Sequence, residues 1–461
     1  MFDPSTYLQR RTALLSRGPQ TGLIAIFGNE ESPMNYTDNV YPFRQDSNFL
    51  YFTGIQEAHH FLLIDPENGT STLCGDDLSL DHIVWMGAQP LMEEKAASAG
   101  INRHLSYQEG LDTIARAAKV GKKIHYLPPY RADRVELLAH VLQQPAAQTR
   151  TGFSELLTKT VITLREIKTE AEIVEMEKAV NTTAEMHIAA MKAIQAGQTE
   201  AYIAGIVEGI AVGGGGRLAY PCISTINGHI LHNHYHGNRL KDGQLLLLDA
   251  GAAAISNYAA DITRTFPVSA NFTAQQAEIY QIVLDAEEQS IAALKAGVSY
   301  LDIHLQAARI ITNGLKALGL MKGDTNEAVA QGAHALFFPH GLGHMIGLDV
   351  HDMEDLVEDW VGYDHDTQRS KLFGLKSLRL AKKLQAGHVL TVEPGIYFIP
   401  ALIDRWQEEG RFLDFINYDK LKSYRQFGGI RIEDNILITE KDHRVLGDLI
   451  PKTIEEIEQL Q

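Results

Sequence analysis

The 461-residue chain is short of cysteine, of positive charge and of long apolar runs. Two cysteines, Cys74 and Cys222, cannot build a disulfide framework and suit a reducing compartment, so a cytoplasmic protein is expected. Lys and Arg number 41 against 58 Asp and Glu, a formal net charge of −17 with no concentrated basic patch. A protein that binds duplex nucleic acid is thereby excluded, because the phosphates would be repelled. The longest apolar stretch, LLLLDAGAAAI at 245–255, is too short to span a bilayer and carries Asp249. The amino terminus, MFDPSTYLQRR, lacks the apolar centre of a signal peptide, so no membrane partner is expected. The one glycine run, Gly213 to Gly216, lacks the Gly-Lys-Ser/Thr continuation of a phosphate loop and reads as a surface loop. Full disorder is excluded too, since 45% of the residues are hydrophobic.

What is present is enough chain for two domains. The first third reads as mixed α and β. TGLIAIFG (21–28) and HFLLID (60–65) are short apolar runs bounded by turn residues, and 71–74 would pair back across the turn at 66–69. Residues 91–100 and 132–143 have helical spacing. A boundary is expected near 150–165, which divides the chain into 1–160 and 161–461. Thr169 with Glu172 forms a capping box that opens a long helix. Two further amphipathic helices are expected over 274–296 and 301–319, and strands over 388–399 and 427–439.

Histidine is the compositional outlier, with 19 in total and nine of them between His229 and His351. Four segments place carboxylates or histidines in apolar surroundings. In 244–266, two strand-like runs flank a polar turn at Ser256-Asn257 and read as a hairpin with Asp249 and Asp261 on opposite arms. A carboxylate after four leucines is costly to bury unless paired or bound to a cation; a strand-end Asp capping a turn is the plainer account. In FPHGLGHMIGLDVHD (338–352), His340, His344 and His351 stand close together, and neutral imidazole suits Mn, Co or Zn, although one such His alone reads as a core residue. Glu393 follows Val392 in an expected buried strand. Arg431 and Glu433, two apart, share a sheet face, where an ion pair between them is the simpler explanation. Together, Asp249, Asp261, His344, Glu393 and Glu433 exceed what one open catalytic ion takes from protein, whereas two bridged ions would use them all.

The order of these residues in DAG, DITR, PHGLGH, GLDVHD, TVEPGIY and GIRIEDN resembles the prolidase and aminopeptidase P group of pita-bread metallopeptidases. YPFRQDSNFLYFTG (41–54) resembles that group's amino-terminal domain. The resemblance implies an α+β catalytic domain, with a curved, mainly antiparallel sheet backed by helices, preceded by an α/β domain. It implies that Asp249, His344 and Glu393 each bind mainly one of two divalent ions, Mn first with Co or Zn as alternatives, and that Asp261 and Glu433 bridge both. Glu393 would shuttle the proton; His232, His340 and His351 would line the substrate site; Arg431 would orient the carboxylates. His229, His234 and His236 match no position in the group and read as a solvated loop. The two Asp residues are twelve apart, one more than is usual in the group. Placed in the turn near Ser256-Asn257, the extra residue leaves both on one face; placed in a strand, it would turn one away.

The implied reaction is hydrolysis of the Xaa-Pro imide bond in short proline-containing peptides. FGLKSLRLAKKLQAG (373–387) resembles the prolidase segment whose arginine holds a dipeptide's free carboxylate, which makes Arg379 the anchor and the chain a dipeptidase. Alternatively, Lys376, Arg379, Lys382 and Lys383 form an exposed basic helix face. The inserted stretch 399–429 is also prolidase-like, whereas 41–54 fits an aminopeptidase P almost as well. Metal-free creatinase-like enzymes and peptide-binding modules share the fold without the full ligand set. The group commonly dimerises, so a homo-oligomer is expected.

Overall fold

A computed structural model describes residues 2–461, which fall into two compact units. One comprises the chain up to Arg165 together with Asp355–Val357, the other Glu166–Glu354 and Glu358–Gln461. In the first unit, three antiparallel strands, Thr70–Cys74, Phe61–Asp65 and Leu23–Phe27, lie side by side in that order. Two-residue strands, His104–Leu105 and Ile124–His125, add to the edges in parallel. Such edge strands are too short to leave a pattern in sequence. Ala25, Phe61, Leu63 and Cys74 form one packed face of this sheet, covered by the helix Tyr107–Lys119 through Leu111 and Ile114.

The second unit carries the chemistry-bearing segments. Its first helix, Glu170–Ala193, opens with the expected box: Thr169 accepts from the Glu172 amide, and Glu172 Oε2 accepts from the Thr169 amide at 2.9 Å. The long helices Ala274–Ala292 and Tyr300–Ala317 pack on each other and back the strands. Leu245–Asp249 lies between Ile223–Thr225 and Thr263–Pro267, antiparallel to both and buried along its length. Burial on both faces explains four consecutive leucines rather than alternation. A second ladder pairs Val389–Val392 with Asp434–Ile438, and a third pairs Gly395–Tyr397 with Gly429–Arg431. Single bridges, Thr263 to Glu433 and Met345 to Leu390, join these pieces into one curved surface.

Two expected strands are each broken in the middle. The 388–399 run divides at Glu393-Pro394, where proline has no N–H for the ladder, and 427–439 divides at Ile432-Glu433. Glu393 and Glu433 therefore sit at strand breaks, where a side chain leaves the regular pleat. The 373–387 segment is not a helix but a series of turns. Its lysines share no face: Lys382 is buried against Glu166 Oε2 at 2.6 Å, and Lys383 pairs with Asp366 at the surface. Among the described residues, no helix is long and apolar enough to cross a membrane.

Candidate metal centre

The hairpin settles the geometry of the two aspartates. Asp249 pairs with Thr263, and the register continues through Ala250 and Ile262 to Ala253 opposite Ala259. The odd-numbered tip closes as a turn from Ala254 to Asn257, with Asn257 in the left-handed region at φ 68°. Asp261 thus lies two residues from Asp249's partner and faces the same side. The Tyr220 hydroxyl is 2.6 Å from Asp249 Oδ1 and 2.5 Å from Asp261 Oδ1. Gly251 stands opposite Asp261, where a Cβ would come within 1.8 Å of the Ala260 carbonyl oxygen. Asn435 imitates a strand partner: it accepts from the Asp261 amide at 3.0 Å and donates to the Asp261 carbonyl at 2.6 Å.

The histidine segment docks along the edge of Val389–Val392. The Thr391 amide donates to the His344 carbonyl at 3.0 Å, and the Glu393 amide to that of Leu342 at 2.8 Å. This approach requires Gly343, whose Cβ would lie 2.1 Å from the Thr391 oxygen. His344 Nε2 is 3.4 Å from Asp261 Oδ2 and 3.9 Å from Glu393 Oε1, while Nδ1 donates to the Met345 carbonyl. That donor fixes the tautomer and leaves Nε2 as a ligand atom. Asp261, His344 and Glu433 each offer an atom within 4.8 Å of the others. Asp249 and Glu393 line the same cavity of about 190 Å³, together with His232, His340, His351, Arg379 and Arg431. Every site residue expected from sequence therefore opens on one space.

Arg431 does not pair with Glu433. Its Nη2 lies 2.5 Å from Asp249 Oδ2, its Nη1 donates to the Tyr397 hydroxyl at 3.0 Å, and its Nε donates to Thr263 Oγ1 at 3.1 Å. Thr263 Oγ1 in turn donates to Glu433 Oε2 at 2.7 Å. Both ring nitrogens of His340 are engaged, Nδ1 by the Gly341 carbonyl and Nε2 by the Tyr397 hydroxyl, so it braces the Tyr397–Arg431–Asp249 chain. His351 stacks on His344 with ring centroids 3.9 Å apart. His234 is exposed and His229 and His236 are half-buried in the same irregular segment, with His236 held by the Cys222 carbonyl at 3.0 Å. Tyr220, Tyr397 and Thr263 were not indicated by sequence. Tyr397 lay within the TVEPGIYF motif, but Tyr220 reaches the aspartates from a separate segment with no local signal.

Four carboxylates crowd this site, and three of them are raised, whereas contacts from His344 and Tyr220 outweigh burial and lower Asp261. Burial pushes Glu393 up to about 7, with Asp261 and Asp249 adding to it. Burial, then Asp261 and Glu393, holds Glu433 well above the carboxylate range. Asp249 is raised by burial against the pull of Arg431. Burial opposes a charge on His344, but Asp261 and Glu393 outweigh it and lift the imidazole to about 9. Glu433 Oε1 is buried without a hydrogen-bond partner among the described residues. Hard oxygen donors, one oriented imidazole nitrogen and an orphaned carboxylate oxygen are what divalent cations would satisfy.

Stability of the metal-free protein follows from these shifts. A group raised in the fold stabilises it fully below its unfolded value, and that contribution is lost as pH rises through the folded value. Glu393 loses its share as pH rises to about 7 and His344 as it rises to about 9, and Glu433, raised well above its ordinary value, loses its share in the same direction. Histidines held neutral by burial, such as His304 and His340, act oppositely but only below their ordinary 6.5. Bound cations favour the deprotonated ligands. The Tm gap between metal-saturated and chelated protein is therefore expected to widen over roughly pH 6.5 to 9. Melting curves across that range check it, and a constant or narrowing gap would contradict it.

Residues 174–440 match metallopeptidase family M24, and residues 7–125 match the aminopeptidase P N-terminal domain. The Homo sapiens Xaa-Pro dipeptidase is 32% identical over 467 aligned positions, covering 98% of this chain and 91% of that protein. The Escherichia coli (strain K12) Xaa-Pro aminopeptidase is 33% identical over 480, covering 98% and 96%. The structure of the Escherichia coli aminopeptidase P with the inhibitor Pro-Leu superposes with a TM-score of 0.82 at 31% identity, covering 100% of this chain and 98% of that one.

Proposed function

The chain belongs to metallopeptidase family M24, with an aminopeptidase P N-terminal domain ahead of the catalytic one, and on that premise we propose that it is an Xaa-Pro dipeptidase. The domain division we assign, 1–160 and 161–461, falls inside the helix Glu155–Glu166, a few residues before the first compact unit ends at Arg165. Asp249, Asp261, His344, Glu393 and Glu433 would together hold two divalent ions, and Mn is the ion we assign, since oxygen donors outnumber nitrogen four to one. Divalent ions held there would supply Lewis-acid polarisation of the scissile carbonyl and an activated water near neutral pH.

The remaining steps are the work of this chain's side chains. An Xaa-Pro bond has no N–H, so a protease that needs that donor cannot grip it. Glu393 takes a proton from water as the oxygen adds to the carbonyl carbon. It returns that proton to the proline nitrogen as the C–N bond breaks. His232 and His351 face the substrate and stabilise the developing oxyanion, with His340 on the same wall. Arg431 keeps Asp249 in place.

One observation supports dipeptide selectivity: Arg379 lines the same cavity as the carboxylate cluster. A guanidinium facing the reacting centre measures length, because a longer peptide has no carboxylate at that distance. The parent protein is expected to prefer Ala-Pro over Ala-Pro-Ala, and Arg379→Ala to lower kcat/KM for Ala-Pro on the order of 10²-fold. Equal or better turnover of Ala-Pro-Ala by the parent protein would sink the dipeptidase reading. The similarity to the Escherichia coli enzyme over almost the full length favours the second reading, an Xaa-Pro aminopeptidase.

The partner we assign is a second copy of the chain. The short helix Leu80–Met86 buries none of its residues and exposes Leu80, Val84, Trp85 and Met86, an apolar patch of the kind that associates. Light scattering that reports only monomer would contradict this. Location in the cytoplasm is supported by two buried free thiols, Cys74 and Cys222.

A further inference from the structure

Behind the cavity wall, outside the ligand set, lies Glu354. Its carboxylate is split between two residues that face substrate. Oε1 accepts from His351 Nδ1 at 3.0 Å, and Oε2 pairs with Arg379 Nη1. Glu354 does not itself line the cavity. Its side chain is 18% exposed, against 37% for His351 and 40% for Arg379, so the anchor is the least mobile of the three. Glu358 stands 3.6 Å from the same Nη1 and is in turn held by Arg369 at 2.5 Å, which braces the guanidinium from its outer side.

We propose that Glu354 is a specificity-determining positioning residue, which joins the imidazole beside the reacting centre and the guanidinium that reads the substrate's C-terminal carboxylate into one hydrogen-bonded unit. This rests on the dipeptidase reading above and names the residue that makes its ruler rigid. The contact to Arg379 is made end-on with a single oxygen, because the other oxygen serves His351. It therefore leaves the Nε and Nη2 edge of the guanidinium, which has no other partner among the described residues, open to a substrate carboxylate. A long arginine side chain without a tether samples many rotamers, and ordering it weakens binding. On the other side, accepting from Nδ1 fixes the His351 tautomer and directs Nε2 towards the cavity, as a carboxylate does for a catalytic histidine.

The two halves of the bridge have separable signatures. The substrates are Ala-Pro and Ala-Pro amide, which differ only in the carboxylate that Arg379 would hold. Glu354→Ala is expected to raise KM for Ala-Pro about tenfold or more while leaving KM for the amide nearly unchanged. Loss of the His351 contact lowers kcat for both substrates. Glu354→Gln keeps the shape but offers one acceptor oxygen to two donors, so an intermediate effect is expected, and it stands in should the alanine variant fold poorly. The same KM change should appear as weaker binding of Ala-Pro to metal-free protein by calorimetry. Glu354→Ala added to Arg379→Ala should change the Ala-Pro to amide ratio little further, because both act through one contact. A ratio unchanged in both Glu354 variants but collapsed in Arg379→Ala overturns the proposal and leaves the dipeptidase reading intact. Tighter Ala-Pro binding in Glu354→Ala also overturns it, since Glu354 would then be a competitor for the guanidinium. A parent ratio near one, unmoved by Arg379→Ala, defeats the dipeptidase reading and the proposal together.

Discussion

Glu433→Gln is expected to lower kcat for Ala-Pro on the order of 10³-fold or more while the protein stays folded. The substitution preserves volume and the contact from Thr263 but removes the charge from the residue whose Oε1 has no protein partner. In the metal-free fold burial and three neighbouring carboxylates raise Glu433 well above the carboxylate range and disfavour its charge, so neutral Gln should not destabilise the metal-free protein. A drop in activity without a drop in metal-free stability separates a ligand from a structural residue. Circular dichroism, melting and steady-state kinetics on the same preparation check it. Activity within tenfold of the parent (about 1.4 kcal/mol in the barrier) would remove Glu433 from the site.

Lys168→Ala is expected to cost about 3–5 kcal/mol of stability, because it removes the cation paired with a buried carboxylate. Lys168 Nζ lies 2.8 Å from Asp352 Oδ2, and each side chain is 1% exposed. Asp352 follows His351 and holds that loop, its amide donating to the Met345 carbonyl at 2.9 Å. Gly347 abuts the carboxylate so closely that a Cβ would lie 2.5 Å from Oδ2. The neutral pair Lys168→Met with Asp352→Asn should recover part of the loss, as paired replacement of buried ions does. Urea unfolding of the single and double variants measures this, and a loss below about 1 kcal/mol for Lys168→Ala would show that the pair is not the lock of the loop.

The parts of the fold legible in sequence were those where one physical term dominated. The Leu245–Leu248 run could only be a buried strand or helix segment, and the polar tip at Ser256-Asn257 chose a hairpin. The even spacing of Asp249 and Asp261 then required a turn of odd length, which Asn257 makes possible by accepting a positive φ. Thr169 and Glu172 announced a helix start because their reciprocal bonds are local. What stayed hidden depends on contacts distant in sequence. Arg431 beside Glu433 looked like a neighbour pair, but the break at Glu433 and the approach of the hairpin gave Arg431 a better partner in Asp249. Lys376, Arg379, Lys382 and Lys383 had helical spacing, yet Lys382 turns inward to Glu166, and tertiary pairing overrides a pattern in a segment without caps. Tyr220 and Glu354 had no motif at all, since each acts through residues brought near only by the fold.

The most direct test of the whole account is a count of ions. Chelated, dialysed protein titrated with Mn, with bound metal measured by mass spectrometry and hydrolysis of Ala-Pro followed in parallel, should bind two ions per chain and recover activity as they bind. The same titration of Glu433→Gln should fall short of two. Protein that holds well under one divalent ion per chain at saturation, with hydrolysis indifferent to chelator, would contradict the account at its root.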